Sequence, residues 1–394
     1  MEVQTRPVVV GTVGAGYAAR LHGNGYKRVC VVPVRLKTVC DVNLELANKV
    51  KEEFGYEQAV SDFDELLADP EIDVIDIVTP AFLHCEMAMK AMRAGKHVIC
   101  EKPLTGYFGQ PGQEHVGDTS KAEMYKQVIA AMDELKQVIA ETGKKFMYAE
   151  NFVYATPIQK VAELVRAKKS KILFLQGFVG LKGSSSPVAG LWNKSGGGQL
   201  MRNGTHPLCG MLWLKHQECK ARGEQFGIAS ISADMGRTTA CLSDHEHRHI
   251  SAHPEDVEDY AAVSITFADG TKCLTIASDT VLGGTQNNVD VFCNDGALRC
   301  TLTPSKLLDT YFLDEDGIED VYLGEMLPSK LGWNQAFISD EVIRGYMGEL
   351  QDFMECVAYD REPETSFEVA YETVKVMYAA YVSAEEGRRV EFEV

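Results

Sequence analysis

The stretch Asp73 to Thr105, DVIDIVTPAFLHCEMAMKAMRAGKHVICEKPLT, constrains the fold more than any other part of the chain. Val74-Ile75-Asp76-Ile77-Val78 is short, β-branched and closed by Thr79-Pro80, the texture of a strand covered on both faces. From His84 the period changes. Met87, Ala88, Ala91 and Met92 share one helical face, and Gly95 stops the helix. His97-Val98-Ile99-Cys100 is the next strand, with Glu101-Lys102-Pro103 just past its C-terminal end. A β-α-β unit of this kind predicts a parallel sheet, and open parallel sheets bind ligands outside the carboxyl ends of their strands. Lys102 is therefore placed for chemistry, against the plainer reading of a surface lysine.

The chain of 394 residues exceeds one ordinary core, so two domains are expected, divided as 1–150 and 151–394. The N-terminus runs straight into a strand without the parts of a secretion signal. Eleven cysteines without a C-x-x-C read as buried thiols of a reducing cytoplasm. No apolar run approaches the roughly 20 residues that span a bilayer. A net charge of −18 argues against nucleic acid or anionic membrane as partner, since phosphate binding needs concentrated basic surface. A small, sugar-sized ligand is unaffected by that argument.

Pro7 to Val13 is a strand that enters Gly14-Ala15-Gly16-Tyr17-Ala18-Ala19, a G-x-G-x-x-A turn opening a helix. Glycines there let the chain turn tightly and bring its amides to a pyrophosphate. The next strand, Arg35 to Cys40, ends in Asp41, whose carboxylate can accept both ribose hydroxyls of NAD and would repel the extra phosphate of NADP. NAD is the cofactor expected. The Gly14–Asp41 spacing exceeds the usual ~20 residues, and Gly23, Gly25 and Pro33 suggest a lengthened helix-to-strand connection. A Gly-rich segment, about 106–120, follows Thr105; its length suggests a lid or substrate-recognition loop, against a subunit contact or passive insertion. Ser120-Lys121-Ala122-Glu123 reads as a capping box, and Lys145 to Glu150 as the last strand of the first domain.

The second half has another grammar. After a helix, Pro157 to Ala167, come strand runs Ile172 to Val179, Ile228 to Ala233, Ala261 to Phe267, Lys272 to Ser278, Val289 to Cys293 and Ala297 to Thr301. Consecutive strands without helices between them predict a largely antiparallel sheet covered on one face. Helices at Glu341 to Tyr359 and Glu368 to Glu386 close the chain. The fold expected is α/β: a doubly wound Rossmann domain, then an α+β domain with an open-faced, mostly antiparallel sheet.

These motifs together resemble the glucose–fructose oxidoreductase/inositol dehydrogenase/rhizopine-catabolism (Gfo/Idh/MocA) family. The matching elements are the glycine turn, Asp41-Val42-Asn43, Thr79-Pro80 with His84, Ala94-Gly95-Lys96-His97-Val98 and Glu101-Lys102-Pro103. Further on come Gly196-Gly197-Gly198 with Gly204-Thr205-His206, and Glu258-Asp259. The resemblance implies NAD(P)-linked oxidation or reduction of sugars and polyols by a homo-oligomer, formed here through the second-domain sheet. It assigns the cofactor to Gly14, Ala15, Gly16, Tyr17, Ala18, Asp41, Thr79, Pro80, His84, Glu101, Lys102 and Asn151. Lys102 would lie beside the nicotinamide and His206 would be the base. The chain departs from the family's G-G-x-L-x-D-x-G-x-H run by placing Arg202 where many members have Asp, and Cys209 where a second Asp often follows. An arginine cannot orient an imidazolium as a carboxylate does. Either His206 works with Lys102 alone, or Arg202 holds a substrate oxygen.

Oxidising a secondary alcohol needs a hydride acceptor and a base; a histidine suits the second role because it titrates near neutrality. Asn203 and Tyr154 are candidates to hydrogen-bond a polyol beside Arg202. His206 before Pro207 could instead cap a turn. The run Asp244 to His249 with His253 resembles a metal cluster, but so polar a segment is more often a solvated loop, and no metal is expected. The leading reading is an NAD-dependent sugar or glycoside dehydrogenase. Within the family, the Arg202 variant and the insertion suggest enzymes oxidising C3 of glucosides, C-glycosides included. Alternatives are an inositol or cyclitol dehydrogenase, a redox-neutral epimerase or eliminative glycosidase, and a non-catalytic NAD-sensing regulator.

Overall fold

A computed structural model describes residues 6–303, 309–315, 329–335 and 344–393. Six strands form one parallel sheet: β1 (Val8–Val13), β2 (Val34–Cys40), β3 (Gln58–Val60), β4 (Val74–Ile77), β5 (His97–Glu101) and β6 (Phe146–Ala149). Their order is β3-β2-β1-β4-β5-β6, so the chain reverses direction across the sheet between β1 and β4. Every residue of β1 and β4 is buried, which is why both read as β-branched runs interrupted by one residue each, Gly11 and Asp76. The crevice that opens at such a reversal, above the strand ends, is where open α/β sheets take ligands.

The second sheet contains β7 (Ile172–Gly180), β8 (Ile228–Gly236), β9 (Tyr260–Phe267), β10 (Lys272–Ser278), β11 (Gln286–Cys293) and β12 (Gly296–Thr301). A two-residue β15 (Val390–Glu391) pairs with β8 at one edge, and a separate ribbon pairs β13 (Asp309–Phe312) with β14 (Gly332–Gln335). The order β12-β11-β7-β10-β9-β8-β15 is antiparallel except where β10 meets β7. The helix Thr205–Arg222 packs directly on β7: a side chain at Gly177 would meet Met211 at 2.6 Å. The opposite face leaves Phe174, Phe178, Leu274, Ile276 and Phe292 half-buried.

The last two helices, Tyr346–Tyr359 and Phe367–Glu386, return toward the first sheet. Tyr148 of β6 donates its N–H to the Thr365 carbonyl at 2.9 Å, and buried residues of both sheets belong to one continuous apolar cluster. Residues 341–343, expected to begin the first of these helices, lie outside the described residues. Among the described residues no helix is long and apolar enough to cross a membrane.

Several local expectations change. Gly23 and Gly25 lie inside the helix Tyr17–Tyr26, not in a connection after it. Packing explains them: a side chain at Gly23 would overlap Phe54 at 2.4 Å, and one at Gly25 would meet Leu350 at 2.6 Å. Ser120 makes no side-chain cap. Glu385 from the C-terminal helix does so, accepting the Lys121 N–H at 2.8 Å, because a carboxylate at a helix N-terminus meets both free amides and the dipole. Cys30 and Cys241 are exposed, so not all of the thiols are buried.

The 106–120 segment is a packed brace. Tyr107 donates its N–H to the Tyr378 hydroxyl at 2.6 Å and accepts from the Trp192 indole at 3.0 Å. Gly117 donates to Asp256, which also accepts from Trp192. Residues supplied from distant parts of the chain hold the segment at Tyr107 and Gly117, while Gln110 to Gly112, Glu114 and His115 between them are exposed.

Candidate active site

The glycine turn, the ends of β4 to β6, and a wide turn before the helix Thr205–Arg222 converge on one crevice. Gly14 has φ +103°, and a Cβ there would strike the Val78 carbonyl at 2.6 Å, so only glycine lets β1 and β4 close this tightly. Gly16 faces open space, and the helix that follows has no side-chain cap. A helix start without a side-chain cap is where an anion would be met. Asp41 accepts from the Ala15 and Asn43 amides, both at 2.8 Å. These donors, with a carboxylate at the end of β2, fit a dinucleotide: pyrophosphate at the helix start and ribose at Asp41.

Deeper in the crevice lies a cavity of about 380 Å³. Tyr17, Ala18, Thr79, Glu101 and Lys102 form its first-sheet wall, with Asn151 and Phe152 beyond β6. Asn203 and His206 close it from the other side, together with Val179, Leu181, Thr285 and Asn287 of the second sheet and Arg344 and Tyr346. Lys102 and His206, 104 positions apart in sequence, thus share a cavity. Gly14, Ala15, Gly16, Asp41, Pro80 and His84 are not in that lining. The glycine turn and Asp41 sit further along the crevice. His84 is sealed and bridges the carbonyls of Thr79 (2.8 Å) and Pro103 (2.9 Å), tying the β4 loop to the Lys102 turn.

Residues 200–204 form a π-type turn immediately before Thr205, a local widening frequent at functional sites. Glu258 shapes it, accepting the Gly198 and Leu200 amides at 2.9 Å each. The widened turn sends Arg202 and Asn203 to different sides. Asn203 faces the cavity, its amide held by Gln199 at 2.9 Å. Arg202 pairs with the buried Asp279 and lines a different cavity. Only its backbone carbonyl reaches the site, accepting from Lys102 Nζ at 2.8 Å. The guanidinium is therefore not among the groups that converge with His206, contrary to the expectation that it holds substrate there. Its partner explains the difference: a buried carboxylate demands a cation.

The carboxylate that the motif lacks is supplied by Glu150. Fully buried at the end of β6, Glu150 Oε1 lies 2.5 Å from His206 Nδ1. Phe152 stacks on the imidazole with centroids 4.4 Å apart, fixing the ring plane. With Nδ1–H on Glu150, Nε2 keeps the lone pair. Burial pushes His206 below its ordinary value, Glu150 pulls it back up and Lys102 pushes it down again. The net lowering leaves a neutral imidazole at neutral pH, able to accept a proton. Glu150 was legible by the same rule that singled out Lys102, since it ends the neighbouring parallel strand.

Tyr154 is corrected. Its hydroxyl donates to Asp352 at 2.6 Å, lies 2.9 Å from the Thr365 hydroxyl and accepts the Thr365 N–H at 3.2 Å. It pins the helix Tyr346–Tyr359 and lies outside the cavity. In the histidine-rich run, Ser243 and Glu246 cap a short helix at Asp244–His247, and the His247 and His253 rings meet edge to face.

The chain matches two family models in order: an oxidoreductase-family NAD-binding Rossmann fold over residues 8–111, and the same family's C-terminal α/β domain over residues 185–392. It is 39% identical over 126 residues to a levoglucosan dehydrogenase of Pseudarthrobacter phenanthrenivorans, covering 30% of each chain. It is 31% identical over 96 residues to a myo-inositol 2-dehydrogenase of Thermotoga maritima, covering 24% of this chain and 28% of that one. The chain thus aligns with under a third of the length of these two curated relatives. Among solved structures, GenD2 from gentamicin A biosynthesis in complex with NAD superposes with a TM-score of 0.78 at 22% identity, over 99% of this chain and 98% of that one. A levoglucosan dehydrogenase in complex with NADH and L-sorbose gives 0.71 at 20% identity, over 99% and 100%; at such identity the likeness is one of fold. With both of its domains matched in sequence order around a shared crevice, the chain belongs to the Gfo/Idh/MocA oxidoreductase family.

Proposed function

We propose that this chain oxidises a ring secondary hydroxyl of a sugar or glycoside with NAD, C3 of a glucoside being the favoured position. The observation that carries the reading is the convergence of Lys102 and the Glu150–His206 pair on one cavity. NAD, when bound, supplies the hydride acceptor. The alcohol carbon gives up hydrogen with its electron pair, the hydroxyl proton passes to His206 Nε2, and a ketone forms. Glu150 holds the ring and favours the imidazolium that results. Lys102, anchored on the Arg202 carbonyl, presents its positive charge to the oxygen as it turns from alcohol to ketone. Asn203 and Asn287 would bind neighbouring hydroxyls, the Asn287 side-chain oxygen being buried without a partner among the described residues.

On this reading residues 1–150 hold the dinucleotide, through Gly14 to Ala18, Asp41 and Thr79, with Asn151 just beyond them, and residues 151–394 otherwise shape the substrate site. The half-buried apolar face around Phe174 and Phe292, stacked with centroids 5.7 Å apart, would join copies of the chain into a homo-oligomer. Resemblance to dehydrogenases of levoglucosan and myo-inositol supports a cyclic polyol as substrate.

The test is a screen of free sugars, cyclitols, and O- and C-glycosides with NAD, following reduced nicotinamide absorbance. Stoichiometric NADH with a ring ketone as product is expected. Product without net NADH would replace the dehydrogenase by a redox-neutral reaction, and turnover of cyclitols alone would exclude the glycoside reading.

A further inference from the structure

Behind the cavity lies a sealed set of ionisable groups that the proposed chemistry does not use. His22, on the Tyr17–Tyr26 helix, is fully buried, with Nδ1 3.0 Å from both oxygens of Asp76 and Nε2 3.3 Å from Glu101 Oε1. Asp76, on β4, is equally sealed and also accepts from the Tyr26 hydroxyl at 2.9 Å. Glu101 ends β5, accepts the Lys102 N–H at 2.9 Å and forms part of the cavity wall. The cluster therefore runs from the interior to the crevice.

Its protonation follows from the geometry. Both ring nitrogens face carboxylates, and a neutral imidazole can donate to only one of them, aiming its other lone pair at the second. The imidazolium satisfies both. Burial opposes that charge, but Asp76 and then Glu101 override it, and His22 titrates well above its ordinary value. Burial likewise opposes a charged Glu101, yet the His22 hydrogen bond and charge, followed by the Lys102 charge and N–H, hold its carboxyl below the usual range. Glu349 faces the same cluster from the Tyr346–Tyr359 helix. Both its oxygens are buried without a partner among the described residues, and burial keeps it protonated and neutral. His84 and His206 also feel the Glu101 charge; His84 is sealed between two carbonyls, and His206 answers to Glu150.

We propose that His22 is a positioning residue: it keeps Glu101 ionised at the cavity wall and thereby makes the site favour the oxidised, positively charged nicotinamide over the reduced, neutral one. This rests on the cavity being the nicotinamide end of the dinucleotide site. Without the imidazolium, two carboxylates would face each other in a sealed space, and one would take up a proton. Asp76 keeps the Tyr26 donor and Glu101 keeps the Lys102 N–H and its charge; Glu101 is the one of the two that opens on the cavity, where a proton can reach it.

The experiment titrates NAD⁺ and NADH separately against the full-length protein by fluorescence, across about pH 6 to 9. The wild type should show an affinity ratio that is flat with pH. His22→Gln should weaken NAD⁺ by about three- to tenfold relative to NADH at the acid end, and recover toward the alkaline end. Glu101→Gln should show the same selective loss at every pH, which keeps the test decisive if His22→Gln does not fold. A folded His22→Gln with the flat wild-type ratio, or a Glu101→Gln that weakens both forms equally, overturns the proposal while leaving the dehydrogenase reading intact. A wild type that binds neither form overturns both.

Discussion

Glu150 Oε1 lies 2.5 Å from His206 Nδ1, both side chains are buried, and the two residues come from opposite sides of the crevice. Glu150 ends a parallel strand of the first sheet, whereas His206 begins a helix of the second half of the chain. The pair restores, from another element, the carboxylate that Arg202 displaces from the family's motif. On the proposed reading the motif's chemistry is kept while its spacing is broken.

Replacing Glu150 by Gln preserves shape but removes the acceptor that selects the His206 tautomer. The turnover number should fall by about 10²- to 10⁴-fold, the scale seen when a carboxylate behind a catalytic histidine becomes an amide. NAD affinity, measured by fluorescence titration, should remain unchanged. An equal fall in both would mean that Glu150 supports the fold rather than the base.

The pH profile follows from the lowered His206 value, since burial disfavours its charged form. A base must be unprotonated, so kcat/KM should hold at neutral pH and fall only below the ordinary histidine range, near pH 6.5. Lys102 pushes His206 down, so in Lys102→Met the residual activity should have its acid limb moved upward. Glu150 pulls it up, so Glu150→Gln should move that limb downward. Rate profiles of the two variants moving in the same direction would contradict this arrangement.

Asp41 accepts two backbone amides and, on the proposed reading, would also meet the ribose of NAD. Asp41→Ala should weaken NAD binding by about 1–3 kcal/mol and narrow the discrimination against NADP, read as the ratio of the two dissociation constants. Retained preference for NAD would place the discriminating charge elsewhere.

Tyr154 and Arg202 should behave as structural residues. Tyr154→Phe strips one donor from buried Asp352, which keeps Arg361 and the Glu364 N–H, and the acceptor from the Thr365 N–H; it should cost about 1–3 kcal/mol in urea unfolding, with KM for the sugar unchanged. Arg202→Met strands Asp279, which is 2% exposed, and should cost about 3–5 kcal/mol. Adding Asp279→Leu should recover much of that loss. An increase in sugar KM larger than the stability change would return Arg202 to the substrate site.

The sequence by itself determined the two grammars of the chain. Mostly β-branched runs at β1 and β4 require burial on both faces, and the hairpin-linked strands after Ile172 do not. It also determined the Gly14 turn, since no other residue lets β1 approach Val78, and the places of Lys102 and Asp41 at strand ends. Tertiary structure alone decided which carboxylate meets His206, that Arg202 turns to Asp279, that Tyr154 is spent on Asp352, and that the 106–120 segment is braced by Tyr378 and Trp192. Each of those outcomes joins residues dozens to hundreds of positions apart. Local periodicity says which face of an element is buried; the burial of an unpaired charge is resolved only by whatever partner the packed fold brings within hydrogen-bond reach.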